Sequence, residues 1–315
     1  MTIATACEQY GAFRKALGER FETNGRQMRA FCRFMGPDAT LANVSPEKVN
    51  VFLAGKGPLT ASWHVKYNAL RGFYRYAVSR ALVVTSPLPD VIPKRPPAFQ
   101  PYIYSQDELR RLLDSIESCR RRRSDIGLPL LRCLFLLMYG AALRISEALS
   151  VTVGDVDLAN RILTIRDSKF FKTRLVPIGP NTAQLLGEYA KRRADLVPTT
   201  RPDDRFFLDR NAKVLPIHKL ERAFKQIREH AGLHREGGPR CQPRLHDLRH
   251  TSAVHRLTTL YREGENVQKL LPQLSVYMGH THLAATQVYL TMTPELLREA
   301  SVRFERYAVG GGGNE

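Results

Sequence analysis

The chain has 315 residues, enough for one large or two ordinary domains, and its 43 % hydrophobic content supports a buried core. With 48 Lys and Arg against 30 Asp and Glu, the formal net charge is +18, which favours a polyanionic partner. A membrane role is disfavoured, because the longest apolar run (residues 128–143) is broken by Arg132 and the N-terminus lacks a basic start leading into an apolar core. Five scattered cysteines without a CxxC pair fit reduced thiols in a cytoplasm better than disulfides or a zinc site.

Residues 4–86 carry a helical pattern. Phe13, Leu17 and Phe21 recur at one-turn spacing, as do Met28, Phe31, Cys32 and Met35, until Gly36-Pro37 stops the second run. Ser45-Pro46 predicts a capped helix start, and Thr60 predicts another. The helix after Thr60 places Trp63, Tyr67, Leu70 and Phe73 on an apolar face, expected to be core rather than a base-stacking surface. Its other face holds Lys66, Arg71, Arg75 and Arg80, and the first three are candidates for phosphate contacts. The expected first domain is therefore an all-helical bundle over residues 1–87. Residues 88–104 are dense in proline and read as an extended linker, with Lys94 and Arg95 placed to lie along DNA.

A second domain is expected over residues 105–309. Ser105-Gln106-Asp107-Glu108 matches a capping box. Arg120 to Arg123 form a run of four arginines, residues 128–139 read as a buried helix, and Arg144 opens another helix after a glycine break. The period then changes. Residues 161–166 and 174–178 are short β-branched runs that predict a hairpin, with Lys169 and Lys172 in its connection. Helices follow at Pro180, at residues 218–230 and at His246, and a basic loop before the last carries Arg244, a further DNA-contact candidate. Residues 294–308 place Leu297, Ala300, Phe304 and Tyr307 on one helical face, and residues 310–315 are expected to be a disordered tail. The fold class is thus mainly α with a small antiparallel β-sheet.

Cleaving DNA without a metal requires a nucleophile that can later leave, and a tyrosine phenol suits this because its phosphodiester retains the bond energy for rejoining. Bidentate arginines answer the charge on the non-bridging oxygens, a lysine can protonate the leaving oxygen, and a histidine can serve the phenol. Each part is in the sequence. His246 and Arg249 stand one turn apart, His280 follows Gly279, Tyr289 lies beyond, Arg144 sits at a helix N-terminus and Lys169 on a loop. Taken singly, each has a plain structural reading. Arg144 could pair with Glu147, Lys169 could be a solvated loop lysine, the histidines could be structural, and Tyr289 could be core.

The order Ala-Leu-Arg144-Ile-Ser-Glu147, lysine hairpin, His246-Asp-Leu-Arg249-His250, Met-Gly279-His280 and Thr286-Gln-Val-Tyr289 resembles the tyrosine recombinase (phage integrase) family over the whole chain. The resemblance implies a helical, SAM-like core-binding domain followed by the family's catalytic domain. It implies that Arg144 and Arg249 bind the scissile phosphate, with Lys169 as general acid and Lys172 as its alternative. His246 would be the base-like partner, His280 a further phosphate or proton ligand, and Tyr289 the nucleophile. It further implies double-stranded DNA target sites, a 3′-phosphotyrosine intermediate and strand exchange through a four-way junction. The expected assembly is a homo-tetramer, or a hetero-tetramer with related recombinases, acting in the cytoplasm on the nucleoid without metal or cofactor. The helix at 294–308 has two readings, packing on its own domain or docking into a neighbouring subunit as family tails often do, with docking preferred. Two features depart from the pattern: the interval holding residues 261–272 is enlarged, and no glycine precedes Lys169. An idle DNA-binding regulator and a type IB topoisomerase-like nicking and resealing enzyme are the alternatives.

Overall fold

The computed structural model describes residues 1–96, 100–118, 126–166 and 173–310. The chain divides into two compact units, residues 1–98 and 99–315.

The first unit is built from α1 (Ile3–Ala16), α2 (Glu22–Met35), α3 (Pro46–Ala54) and α4 (Ala61–Ser79). Thr2, Ser45 and Thr60 each accept a backbone N–H at the start of a helix, satisfying donors that the helix itself leaves free. The one-turn spacing of Phe13, Leu17 and Phe21 does not continue as a single helix. Gly18 takes φ +83° and Phe21 φ +52°, so Phe21 opens α2 and sets its ring edge-on against Tyr10 at 5.3 Å. Tyr10, Phe31, Leu70 and Phe73 fill the centre, each aromatic burial contributing about 1.5–3 kcal/mol. Gly72 makes room for this packing, since a Cβ there would stand 2.5 Å from the Tyr10 hydroxyl. Trp63 lies in the same core, stacked on Tyr67. Arg71 and Arg75 are exposed on the outer face of α4. Lys66 instead donates to the Phe52 carbonyl (2.7 Å) and lies over the Phe52 ring, closing the end of α3, and burial lowers its pKa. Lys94 and Arg95 are exposed on a stretch with no helix or strand among its described residues.

The second unit takes up the chain before the expected end of the linker. Tyr104 is fully buried and donates its backbone N–H to Thr251 Oγ1 at 3.1 Å. Then follow α5 (Gln106–Ser118), α6 (Leu128–Gly140) and α7 (Ile145–Ser150). Ser105 and Glu108 exchange the two bonds of the capping box. The arginine run at 120–123 falls outside the described residues. A three-stranded antiparallel sheet comprises β1 (Val156–Asp157), β2 (Ile162–Ile165) and β3 (Arg174–Pro177), with Leu163 opposite Val176. The hairpin is the one predicted; β1 is an addition to it. Its connection, with Lys169 and Lys172, lies outside the described residues.

Helices α8 (Pro180–Leu196), α9 (Ile217–His230), α10 (Asp247–Arg262), α11 (Val267–Met278), α12 (Ala284–Gln287) and α13 (Pro294–Gly310) complete the unit, with a 3-10 turn at Val288–Thr291 between the last two. The larger core gathers around the apolar α6 and takes in α5, α8, α9 and the inner face of the sheet. A second cluster joins α10, α11 and the 3-10 turn through Leu257, Leu271, Met278 and Tyr289. The enlarged interval forms the end of α10, a turn at Gly264 and the start of α11, which Asn266 caps. In α13, Leu296 is buried in this cluster and Arg262 of α10 pairs with Glu295 and Glu299. Its first turns therefore bind their own unit, while Leu297 and Phe304 remain exposed. Of the tail expected to be disordered at 310–315, Gly310 is instead the last residue of α13, and residues 311–315 lie outside the described residues. Among the described residues no helix is long and apolar enough to cross a membrane.

Candidate active site

The site lies where the start of α7, the start of α10, the end of α11 and the 3-10 turn meet. The approach to α7 bends sharply. Ala142 takes φ +50°, a conformation unfavourable for a residue with a Cβ, and turns its carbonyl inward. Arg249, 1 % exposed, donates to that carbonyl and to Met278 O at the end of α11. Its guanidinium is thereby fixed by two elements distant in sequence. Asp247, between His246 and Arg249, is a structural residue. It is fully buried and accepts from the Arg244 backbone N–H (2.8 Å) and side chain (3.0 Å), shaping the turn that starts α10.

Glu147 is the hub. Its buried carboxylate accepts the Arg144 backbone N–H (2.9 Å), Arg144 Nη1 (2.6 Å) and both terminal nitrogens of Arg174 (3.1 and 2.9 Å), with Arg249 Nη1 at 3.8 Å. Burial alone would raise its pKa. The Arg174 bonds and the Arg144 backbone N–H outweigh that and bring it to about 2. One carboxylate facing three guanidinium groups leaves the cluster with an excess of positive charge, a setting for an anion.

Gly279 is required twice. It closes α11 in the left-handed region (φ +66°), and a Cβ on it would stand 2.6 Å from Arg174 Nη1. Its carbonyl accepts from Arg144 Nη2 at 2.9 Å. His280 follows directly, and its Nδ1 is 2.7 Å from Thr286 Oγ1, so the Thr286-x-x-Tyr289 spacing also orients this ring.

Tyr289 stands on the 3-10 turn and is 2 % exposed. Its ring stacks beside His280 at 6.1 Å, and its hydroxyl is 2.9 Å from His250 Nδ1. Burial raises the phenol's pKa, while the positive charges of Arg249 and Arg144 pull it down. All three histidines are held well below their ordinary range, His246 to about 4, His250 to about 3 and His280 to about 4. Burial is the largest cause in each, reinforced by neighbouring positive groups.

Arg144, His246, Arg249, His280 and Tyr289 thus come together from separate stretches of the chain. Lys169 and Lys172 lie outside the described residues, and Arg244 is exposed and engaged with Asp247. Sequence reading missed three participants. Arg174 was visible only as the start of a strand and Thr286 only as part of a motif. His250 is four residues after His246 and therefore on its helical face, which was a usable signal. Among the described residues no group of three His, Cys, Asp or Glu side chains could hold a metal ion.

The model of the phage integrase family matches residues 103–295. A protein of Sinorhizobium fredii (strain NBRC 101917 / NGR234) that carries the name integrase/recombinase y4rB is 32 % identical over 308 residues, 97 % of this chain and 98 % of that protein. Tyrosine recombinase XerD of Mycobacterium leprae (strain TN) is 33 % identical over 73 % of this chain and 69 % of that protein. Among solved structures, the Tn1549 transposon integrase in complex with transposon right end DNA shares the fold. Its TM-score is 0.69 at 17 % identity, covering 98 % of this chain and 100 % of that one. A lambda integrase tetramer bound to a Holliday junction gives a TM-score of 0.65 at 17 % identity, covering 92 % and 77 %. The match spans well over half the chain and both units have counterparts in full-length relatives: the protein belongs to the phage integrase family and is a tyrosine recombinase.

Proposed function

We propose that the protein cuts and rejoins double-stranded DNA at specific sites through a 3′-phosphotyrosine on Tyr289. The observation that carries this is the placing of the Tyr289 hydroxyl within the field of both Arg249 and Arg144, beside a cluster short of negative charge. A phosphodiester entering there supplies that charge. Arg144 and Arg249 hold its non-bridging oxygens, and both are already oriented by carbonyls and by Glu147, so little reorganisation accompanies the reaction. His246 and His280, neutral at physiological pH, line the same pocket as hydrogen-bond donors to the phosphoryl group. The phenol oxygen forms a bond to phosphorus and the 5′ oxygen leaves, taking a proton from Lys169, with Lys172 as the alternative donor. Attack by a 5′-hydroxyl of another strand reverses the steps, and the stored ester bond makes a nucleotide unnecessary.

The first unit is assigned to DNA grip, with Arg71, Arg75, Lys94 and Arg95 on phosphates and Arg244 at the edge of the active site. Strand exchange through a Holliday junction within a tetramer is part of the proposal, supported by the fold shared with the lambda integrase assembly. The test is a nicked suicide duplex whose site the protein itself selects from a random pool. The native chain is expected to form a covalent adduct and Tyr289→Phe none. An adduct mapped to Tyr277 or Tyr307 would end the assignment.

A further inference from the structure

Attack by Tyr289 requires the phenol to lose a proton, and the surroundings narrow where that proton can go. The tyrosine is 2 % exposed, so bulk water does not reach it. The nearby carboxylates are committed, Glu147 to Arg144 and Arg174 and Asp247 to Arg244. His280 offers the phenol the face of its ring and keeps Nδ1 on Thr286. His246 packs its ring edge-on against that of His250, 5.0 Å away, rather than against the phenol, whose ring contacts among the described residues are with His250 and His280. Among the described residues, His250 Nδ1 is the basic atom at hydrogen-bonding distance from the hydroxyl, 2.9 Å.

We propose that His250 is a catalytic residue of the cleavage step, the base that takes the Tyr289 proton on Nδ1 as the phenol oxygen bonds to phosphorus. The inference rests on the DNA-cleaving reading above and moves to His250 the role that the family resemblance gives to His246. The balance is simple. The O–H bond of Tyr289 breaks, its electron pair goes to phosphorus, the proton goes to Nδ1 and His250 becomes an imidazolium. On rejoining, the Nδ1 proton returns to the departing phenolate.

The resting site opposes this transfer, which gives it a substrate gate. Burial of its own ring, then the positive charges of Arg249 on α10 and Arg244 before it, disfavour a charge on His250, with His246 just before α10 and His280 after α11 beside it, while burial keeps the phenol protonated. A phosphodiester bound between Arg144 and Arg249 brings one negative charge into that group and relieves the penalty on an imidazolium. Proton transfer is thereby favoured only when DNA is in place, and a free enzyme does not hold an exposed phenolate.

The test compares the native chain with His250→Asn, which keeps an accepting oxygen near the Nδ1 position without a basic nitrogen, and His250→Gln as a second variant. Melting and DNA binding are measured alongside. Both variants are expected to bind the selected duplex as the native chain does and to form the Tyr289 adduct about 10²- to 10⁴-fold more slowly. Their cleavage rate should rise about tenfold per pH unit from pH 7 to 9, as phenol ionisation replaces the lost base, whereas the native rate should be much flatter. A substrate with sulfur in place of the bridging 5′ oxygen separates the two proton transfers, because a thiolate leaves without protonation. The His250 defect should persist on it. Native-like cleavage by either variant, an unchanged pH profile, or rescue by the sulfur substrate would overturn the assignment while leaving Tyr289 as nucleophile. Failure of the native chain to form any adduct would overturn the broader reading as well.

Discussion

The two units differ in what they bury. The first closes around aromatic and aliphatic side chains, and among its described residues no Asp, Glu, Lys or Arg is buried. The second buries Glu147, Asp155, Arg193, Asp209, Arg228, Asp247 and Arg249 as well as a larger apolar core. Buried charge is costly unless paired, and apolar packing gives stability more readily than ion pairs do. Glu147 and Arg249 lie in the cluster beside Tyr289, whereas Asp155, Arg193, Asp209 and Arg228 hold turns and carbonyls elsewhere in the unit.

The sharpest way to break the contrast is Tyr289→Phe. It should abolish covalent adduct while the fold survives, since only a hydroxyl is removed; DNA affinity measured in parallel should change little. Next in size is Glu147→Ala. It strands three guanidinium groups in a buried site and should cost about 3–5 kcal/mol in denaturant unfolding, with loss of cleavage. Unchanged stability would mean that the arginines repel one another little. Gly279→Ala is expected to cost about 1–3 kcal/mol, because φ +66° and the Arg174 guanidinium both oppose a Cβ. Its activity should fall further than its melting temperature suggests, as Arg174 and Arg144 shift.

Acid should separate the units without mutation. His246, His250 and His280 titrate lower when folded than their ordinary 6.5, so the unfolded chain binds protons first as pH falls. Their contribution is complete above about pH 6.5 and is lost progressively towards pH 4. Glu147, depressed to about 2, adds a further loss from about pH 4.5 downward. Hydrogen exchange near pH 5 should show protection falling in α10 and α11 before α1 and α4. Equal loss in both units would contradict this. The smallest effect belongs to the first unit. Arg71→Ala and Arg75→Ala should each flatten the salt dependence of DNA binding by about one unit of log–log slope, leaving the cleavage rate of bound DNA unchanged.

Much of this was legible in the sequence because local rules prevailed. The caps at Ser45, Thr60 and Ser105 are satisfied by neighbours three or fewer residues away, and the apolar faces of α4 and α6 follow helical spacing. Phe21 reads with the first run but opens α2 at positive φ with its ring against Tyr10, a contact between elements that helical spacing does not announce. Tyr104 was assigned to a linker because nothing nearby announces Thr251, 147 positions later, as its partner. The same holds at the site. Motif order located Arg144, Arg249, His280 and Tyr289, but which histidine meets the phenol depends on how the 3-10 turn packs against α10. Glu147 was recognisable as a neighbour of Arg144; that it also holds Arg174 was not, since the second bond crosses from helix to sheet.

Arg174 has one more effect. It is the first residue of β3, and its side chain is clamped by Glu147 and by the Tyr277 carbonyl. Lys169 comes five positions earlier in the chain. Even a fully extended backbone covers only about 18 Å over that distance, so the lysine is on a short leash whose post is driven into the arginine cluster. Lengthening the chain between Thr173 and Arg174 is expected to slow the cleavage step for which Lys169 is the proposed acid, while leaving the proposed phosphate site at the arginines intact.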